Sequence, residues 1–118
     1  MRFKELRSAE KNNDKALTEE YKSAHSFGAV AAGRSHLFIK KGLSVYYIAY
    51  GDADRIFRRI RCVNAQMCCD NGEIEFEYLV VSDGKKELIE VQLPGKKAAR
   101  MLMDELKEIA PETEFSAP

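Results

Sequence analysis

Tryptophan is absent from this chain, and 118 residues include only three prolines, three cysteines and two histidines. These shortages exclude a good deal. A zinc site wants about four ligands at set spacings, such as paired C-x-x-C, and Cys62, Cys68 and Cys69 do not supply them. Cys68 and Cys69 are adjacent, so on a strand they point to opposite faces; His25 and His36 help only if folding happens to bring them close. Cys69 reads as a small core residue. An odd cysteine count fits a reducing compartment. Nor is either sign of charge in excess: 19 Lys+Arg balance 19 Asp+Glu, which argues against non-specific binding to nucleic acid or to an anionic membrane. No apolar run approaches the ~20 residues that span a bilayer. The opening "MRFKELRSAEKNNDKALTEE" is charged throughout and has no signal-peptide core, so the expected location is cytoplasmic.

Catalytic motifs are missing too. There is no nucleophile elbow, phosphate-binding glycine loop or histidine–glutamate zinc motif. The carboxylates Asp52, Asp54, Asp70, Glu73, Glu75 and Glu77 fall on turns or on a strand face that reads as solvated. Acid–base chemistry needs a pair in one pocket with separated pKa values. The expectation is a non-enzymatic protein with no cofactor or metal.

What is present describes one domain. A hydrophobic share of 45% is enough for a core without disulfides. Residues 1–23 are polar and helix-favouring, with Leu17, Tyr21 and Ala24 on one face. So narrow a stripe makes an isolated helix marginal, and this N-terminal helical extension must dock on something. Residues 24–112 carry the main fold, and 113–118 form a tail. Turn signals at Gly33, Lys40–Gly42, Gly51–Asp54, Asp70–Gly72 and Ser82–Gly84 divide the middle into β-rich runs near 27–32, 36–40, 43–50, 55–63, 64–69, 73–81 and 86–93. The stretch "GKKAARMLMDELKEIAPE" then changes period. Ala99, Leu102, Met103, Leu106, Ile109 and Ala110 share one face of a helix over 96–110, which Pro111 ends.

Turn positions imply registers. With Asn71-Gly72 central, Met67 faces Phe76, Ala65 faces Tyr78 and Val63 faces Val80; with Asp83-Gly84 central, Tyr78 faces Ile89, Phe76 faces Val91 and Ile74 faces Leu93. Both place Ile74, Phe76 and Tyr78 on a core face and Glu75, Glu77, Glu90 and Gln92 in water. Upstream, parity within Arg55–Val63 breaks, which predicts a bulge near 58–62.

Seven short antiparallel strands closed by one C-terminal amphipathic helix, with "HLFIKKGLSVYYIAYGDADRIFRRI" across the second to fourth, resemble a bacterial pleckstrin-homology-like domain. The resemblance implies a mainly β (α+β) barrel. It also implies a final-helix tryptophan and a basic first loop in the lipid-binding members; this chain has neither, since "AAGRSH" holds only Arg34.

The densest feature is the arginine and aromatic pair of strands. Pairing 43–50 with 55–63 across the "GDAD" turn sets Ile48 against Phe57, Tyr47 against Arg58 and Tyr46 against Arg59, and the Lys41-Gly42 turn sets Leu37 against Tyr46 and Phe38 against Val45. Both faces are then partly apolar: Phe38, Val45, Tyr47, Ala49, Ile56 and Ile60 on one, and Leu37, Ile39, Tyr46, Ile48, Phe57, Arg59 and Arg61 on the other. A sheet in a small domain has one core face, so the second is covered either by residues 1–23 or by a partner. Leu37, Tyr46, Ile48, Phe57, Arg59 and Arg61 have the composition of an interface. The expected function is protein–protein interaction or self-assembly. The alternative is a site for an anionic headgroup or small metabolite drawing on Lys40, Lys41, Arg55, Arg58, Arg59 and Arg61; the lysines at the hairpin tip read otherwise as ordinary edge protection.

Overall fold

The computed structural model describes residues 2–8, 10–12, 15–64 and 73–116. It is mainly β, with two sheets and two helices. The strands are β1 (Arg2–Glu5), β2 (Lys11–Asn12), β3 (His25–Phe27), β4 (Val30–Ala32), β5 (His36–Lys41), β6 (Ser44–Ala49), β7 (Arg55–Asn64), β8 (Glu73–Ser82) and β9 (Glu87–Gln92). The helices are α1 (Lys15–Ser23) and α2 (Lys96–Ile109). The larger sheet has the order β2-β1-β6-β5-β4-β3 and the smaller β7-β8-β9. Among the described residues no helix is long and apolar enough to cross a membrane.

From residue 36 onward the described strands fall on the β-rich runs, but the expected strand at 27–32 is a hairpin of β3 and β4 that turns at Gly28-Ala29, β1 and β2 match no expected run, and three connections differ. First, β6 and β7 do not pair. The far edge of β6 is taken by β1, which runs parallel to it with Phe3 beside Val45 and Glu5 beside Tyr47. A 3-10 turn at Tyr50–Asp52 then carries the chain to the other sheet. The two sheets consequently do not close into a barrel among the described residues, and α2 covers a face instead of plugging a barrel end. Arg59 lies opposite Tyr78, not Tyr46.

Second, β7 pairs with β8 without a bulge from Arg55–Ser82 to Asn64–Glu73. Val63 faces Ile74 where Val80 was expected, a displacement of six residues. An even displacement leaves side-chain faces unchanged. The expected strand at 64–69, together with Cys68, Cys69, Asp70 and the Asn71-Gly72 turn, lies outside the described residues apart from Asn64.

Third, the β8–β9 register moves by an odd number. Tyr78 faces Gln92 and Leu79 faces Val91, with an irregularity between Val81 and Ser82. The connecting turn is wider than two residues because Asp83 Oδ1 accepts the N–H groups of both Lys85 and Lys86 at 2.9 Å. The face is therefore reversed: Leu79, Val81, Leu93 and Ile56 enter the core with partly buried Ile89 and Val91, while Phe76 and Tyr78 are half-buried on the opposite side.

The larger sheet is apolar on both faces, as its alternation requires. Leu37, Ile39 and Ile48 face the main core under Ala99, Leu102, Met103 and Leu106 of α2. Phe38, Val45 and Tyr47 face a second, smaller core closed by Phe3, Leu17, Tyr21 and Ala24. The β5–β6 turn centres on Gly42-Leu43, so Leu37 faces Ile48 and Phe38 faces Tyr47; this is again an even displacement and preserves the expected faces. Residues 1–23 are thus only partly helical: 2–5 form a strand and 15–23 a helix, and together they cover the second apolar face. The tail also docks, with Ile56 N–H donating to the Glu114 carbonyl at 3.0 Å and Phe115 against the main core.

Candidate functional site

The arginine stretch is distributed over two faces of β7. Arg59 and Arg61 point away from the core. Arg59 donates to Glu87 and to Glu90 (2.8 Å), and Arg61 to Glu90 at 2.7 Å. Their guanidinium carbons lie 5.5 Å from the Phe57 ring centroid and 5.7 Å from that of Tyr78, within reach of a cation–π attraction. Hydrogen bonds to Glu87 and Glu90 raise the Arg59 pKa above its ordinary value; Arg59 in turn lowers the Glu87 carboxylate, and Arg61 followed by Arg59 lowers Glu90. The outer face is consequently an ordered layer of arginine over aromatic rings, neutralised by acids from β9.

Arg58 faces the other way. Its Nε donates to Glu77, a carboxylate only 3% exposed on the core side of β8. A buried charge is tolerated when paired, and Arg58 is the partner that lets Glu77 sit beside Leu79. Simple alternation assigned Glu77 to water; the odd β8–β9 displacement is what turns it inward.

Of the residues expected to meet a partner, Leu37 and Ile48 are fully buried in the main core and Phe57 is 3% exposed. Tyr46 is half-buried on the other sheet, Arg59 half-buried and Arg61 exposed. Only the two arginines share a surface, and Phe76 and Tyr78 join them there.

Beyond Tyr78, β9 no longer flanks β8, so residues 60–64 and 73–76 form a two-stranded ribbon. Ile60 on it is 47% exposed, and Cys62 is exposed with a free thiol. Ile56 turns its N–H outward to Glu114. Because strand amides alternate, Arg58, Ile60 and Cys62 also turn theirs outward. No described strand pairs with β7 there.

Other expected positions are dispersed. Lys40 and Lys41 are exposed at the β5–β6 turn with Leu43 at its tip, and Arg34 is exposed at the β4–β5 turn. Asp52 is bound by Arg7 at 3.1 Å; with Asp54, Asp83 and Glu112 it lines a hollow of about 450 Å³. Glu75 is exposed. Among the described residues no group of three or more His, Cys, Asp or Glu side chains is placed to hold a metal.

Sequence alternation offered no signal for one further arrangement. Glu20 of α1 accepts the N–H groups of Ser35 (2.9 Å) and His36 (2.8 Å) and meets His36 Nδ1 at 2.9 Å. Tyr50 Oη donates to the Gly33 carbonyl in the same turn at 2.7 Å. Burial, with Glu20 and Glu105 nearby, raises the Tyr50 phenol above its ordinary pKa, so it remains a donor. No protein-family model, curated protein or solved structure matches this chain.

Proposed function

We propose that this protein is a non-enzymatic binding module, an opened relative of the pleckstrin-homology-like plan, that holds an extended acidic segment of a partner protein along β7. The observation that supports it is the lie of the chain's own C-terminal segment. That segment runs parallel to β7, bridging Glu114 to Arg55; its Glu114 carbonyl takes the outward Ile56 N–H, and Arg55 donates to the Ser116 carbonyl at 2.9 Å. The same edge continues past it with outward amides at Arg58, Ile60 and Cys62. Adding a strand to such an edge gives affinity through the main chain and selectivity through alternate side chains. A second copy is a poorer occupant. Antiparallel β7–β7 pairing centred on Ile60 sets Arg59 against Arg61, and like charges directly opposite one another destabilise a sheet.

The test uses peptides of alternating Glu and Val, or alternating Lys and Val, with amide hydrogen exchange read at Arg58 and Cys62. The acidic peptide is expected to slow exchange at both amides. Ile60→Pro should abolish this without unfolding the chain, because proline is tolerated on an edge strand where its missing N–H faced solvent. Unchanged exchange with the acidic peptide, or equal protection by both peptides, defeats the proposal. Protection that instead rises with protein concentration alone assigns the edge to self-association.

A further inference from the structure

We infer that the cleft between α2, β7 and the C-terminal segment binds a phosphomonoester carried on a small apolar body. The cleft has a volume of about 340 Å³, at the small end of the range for ligand sites. Arg100, Asp104 and Lys107 stand on α2 at helical spacing, one turn apart, with Arg58 across from them on β7. Its walls are completed by Met103 and Phe115.

The charges of this cleft are not used up inside the protein. Elsewhere, Arg7, Arg55, Arg59 and Arg61 all have carboxylate partners. Arg100 and Lys107 make no ion pair among the described residues, and Arg58 is engaged with Glu77 only through Nε. Its terminal nitrogens therefore remain for a ligand. Three cations face Asp104 on the lining, and with Glu77 behind Arg58 the cleft keeps an excess of one positive charge, carried by Arg100 and Lys107. The near-complete burial of Glu77 holds Arg58 in place before anything binds, so little ordering is left for the ligand to bring about.

Two guanidinium forks and one ammonium suit a dianion with several oxygens: arginine takes two oxygens side by side, and lysine acts as a point charge. Met103 and the partly buried Phe115 offer apolar surface beside those donors, so an ester with an organic group should exceed the free ion. This surface lies on the α2 side of β7; Phe115 reaches it from the segment seated at Arg55–Ile56, whereas the outward amides of Arg58, Ile60 and Cys62 lie further along the edge.

Calorimetric titration of the full chain with phenyl phosphate and with inorganic phosphate tests the idea. Phenyl phosphate should bind saturably, more tightly than inorganic phosphate, and more weakly as salt is raised. Arg100→Gln and Lys107→Gln, both at exposed positions, should each weaken binding roughly tenfold, the loss of one charge-assisted contact. Asp104→Asn should tighten it. Melting curves of the variants that match the parent show that the fold is retained. Capture on phosphatidate vesicles, lost in the Arg100→Gln, Lys107→Gln double variant, would assign the phosphomonoester to a lipid; soluble binding without capture assigns it to a free metabolite. Absence of binding in every arm overturns the inference, as does binding that both glutamine variants leave unchanged. Equal affinity for the ester and inorganic phosphate overturns the apolar wall's part in it.

Discussion

Removing the Glu20 carboxylate should release α1 from the sheet beneath it. The helix is nine residues long, too short to persist without tertiary support. It is held by Leu17, Tyr21 and Ala24 against the second core and by Glu20 on the Gly33–His36 turn. Hydrogen bonds to a charged group contribute about 1.5–3 kcal/mol each. The Ser35 amide is exposed and regains water on truncation, whereas His36 is half-buried and does so less well. Glu20→Ala should therefore cost about 2–4 kcal/mol, and Glu20→Gln, which keeps one acceptor oxygen, about half that. At this chain length each kcal/mol moves the melting temperature by about 4 °C, so Glu20→Ala should melt roughly 8–16 °C lower. Gly33→Ala should act on the same contact, since a Cβ there would lie 2.4 Å from Glu20 Oε2 and 2.9 Å from the His36 carbonyl oxygen. The two substitutions share a partner, so their costs should not add.

Acid supplies a second measurement. Burial opposes ionisation of Glu20, but the hydrogen bonds from His36 and Ser35 outweigh it and place the pKa below the ordinary 4.5. A carboxylate lowered on folding contributes fully above its unfolded pKa and loses that contribution as pH falls through the folded value. Below about pH 4.5 the parent should lose stability more steeply than Glu20→Ala. Thermal melts across pH 3–7, with amide exchange read in α1, decide the matter. A Glu20→Ala protein that melts within about 2 °C of the parent with α1 equally protected would refute the role assigned to this contact.

Phe3→Ala removes a ring that is 2% exposed and edge-on to Tyr21 and Phe38 at 5.8 and 6.0 Å; a loss of about 3–5 kcal/mol is expected from urea midpoints. Deleting residues 1–23 should uncover Phe38, Val45 and Tyr47 and produce concentration-dependent aggregates in sedimentation. Leu102→Ala, at a wholly buried position of α2, should cost about 2–5 kcal/mol, measured in the same denaturation series. Arg58→Ala leaves Glu77 buried without its partner and should destabilise by about 3–5 kcal/mol, most of it recovered by a second change, Glu77→Leu, in a double-mutant cycle.

Local chemistry carried the elements but not all of their partners. The 36–41 and 44–49 hairpin, the long 55–64 and 73–82 strands and the 96–109 helix follow from alternation, turn residues and a change of period, and the structure places them within a residue or two of expectation. Two registers moved by even steps, so the expected faces survived: Phe38 with Val45 and Tyr47, and Phe57 with Arg59 and Arg61. The third moved by an odd step because Asp83 gathers two amides into a wider turn, and that one residue reversed the core assignment of β8. The strand Arg2–Glu5 was not legible at all. Phe3 is its only strongly apolar residue, its near partner β2 is two polar residues long, and its other partner β6 lies far along the chain, so neither propensity nor turn chemistry marks it. Without β1, β6 has a free edge that β7 is next in sequence to fill, and that pairing is what a closed barrel requires. The cationic cleft was equally hidden: Arg58, Arg100 and Phe115 come from three separate elements, and nothing local relates them.

The parallel seam between Arg2–Glu5 and Ser44–Tyr47 also sets an order on biosynthesis. Once Arg2–Glu5 have left a ribosome they can meet only the two-residue β2 until β6 has been made. At 5–20 residues per second that is a wait of about 2–8 s. During it Phe3 and Leu6 have nowhere to bury, and α1, whose Tyr21 packs on Phe3, has only part of its seat. The strand β1 is thus seated on the sheet only after β3 to β6 have followed it, and the second core is completed only when it returns to β6.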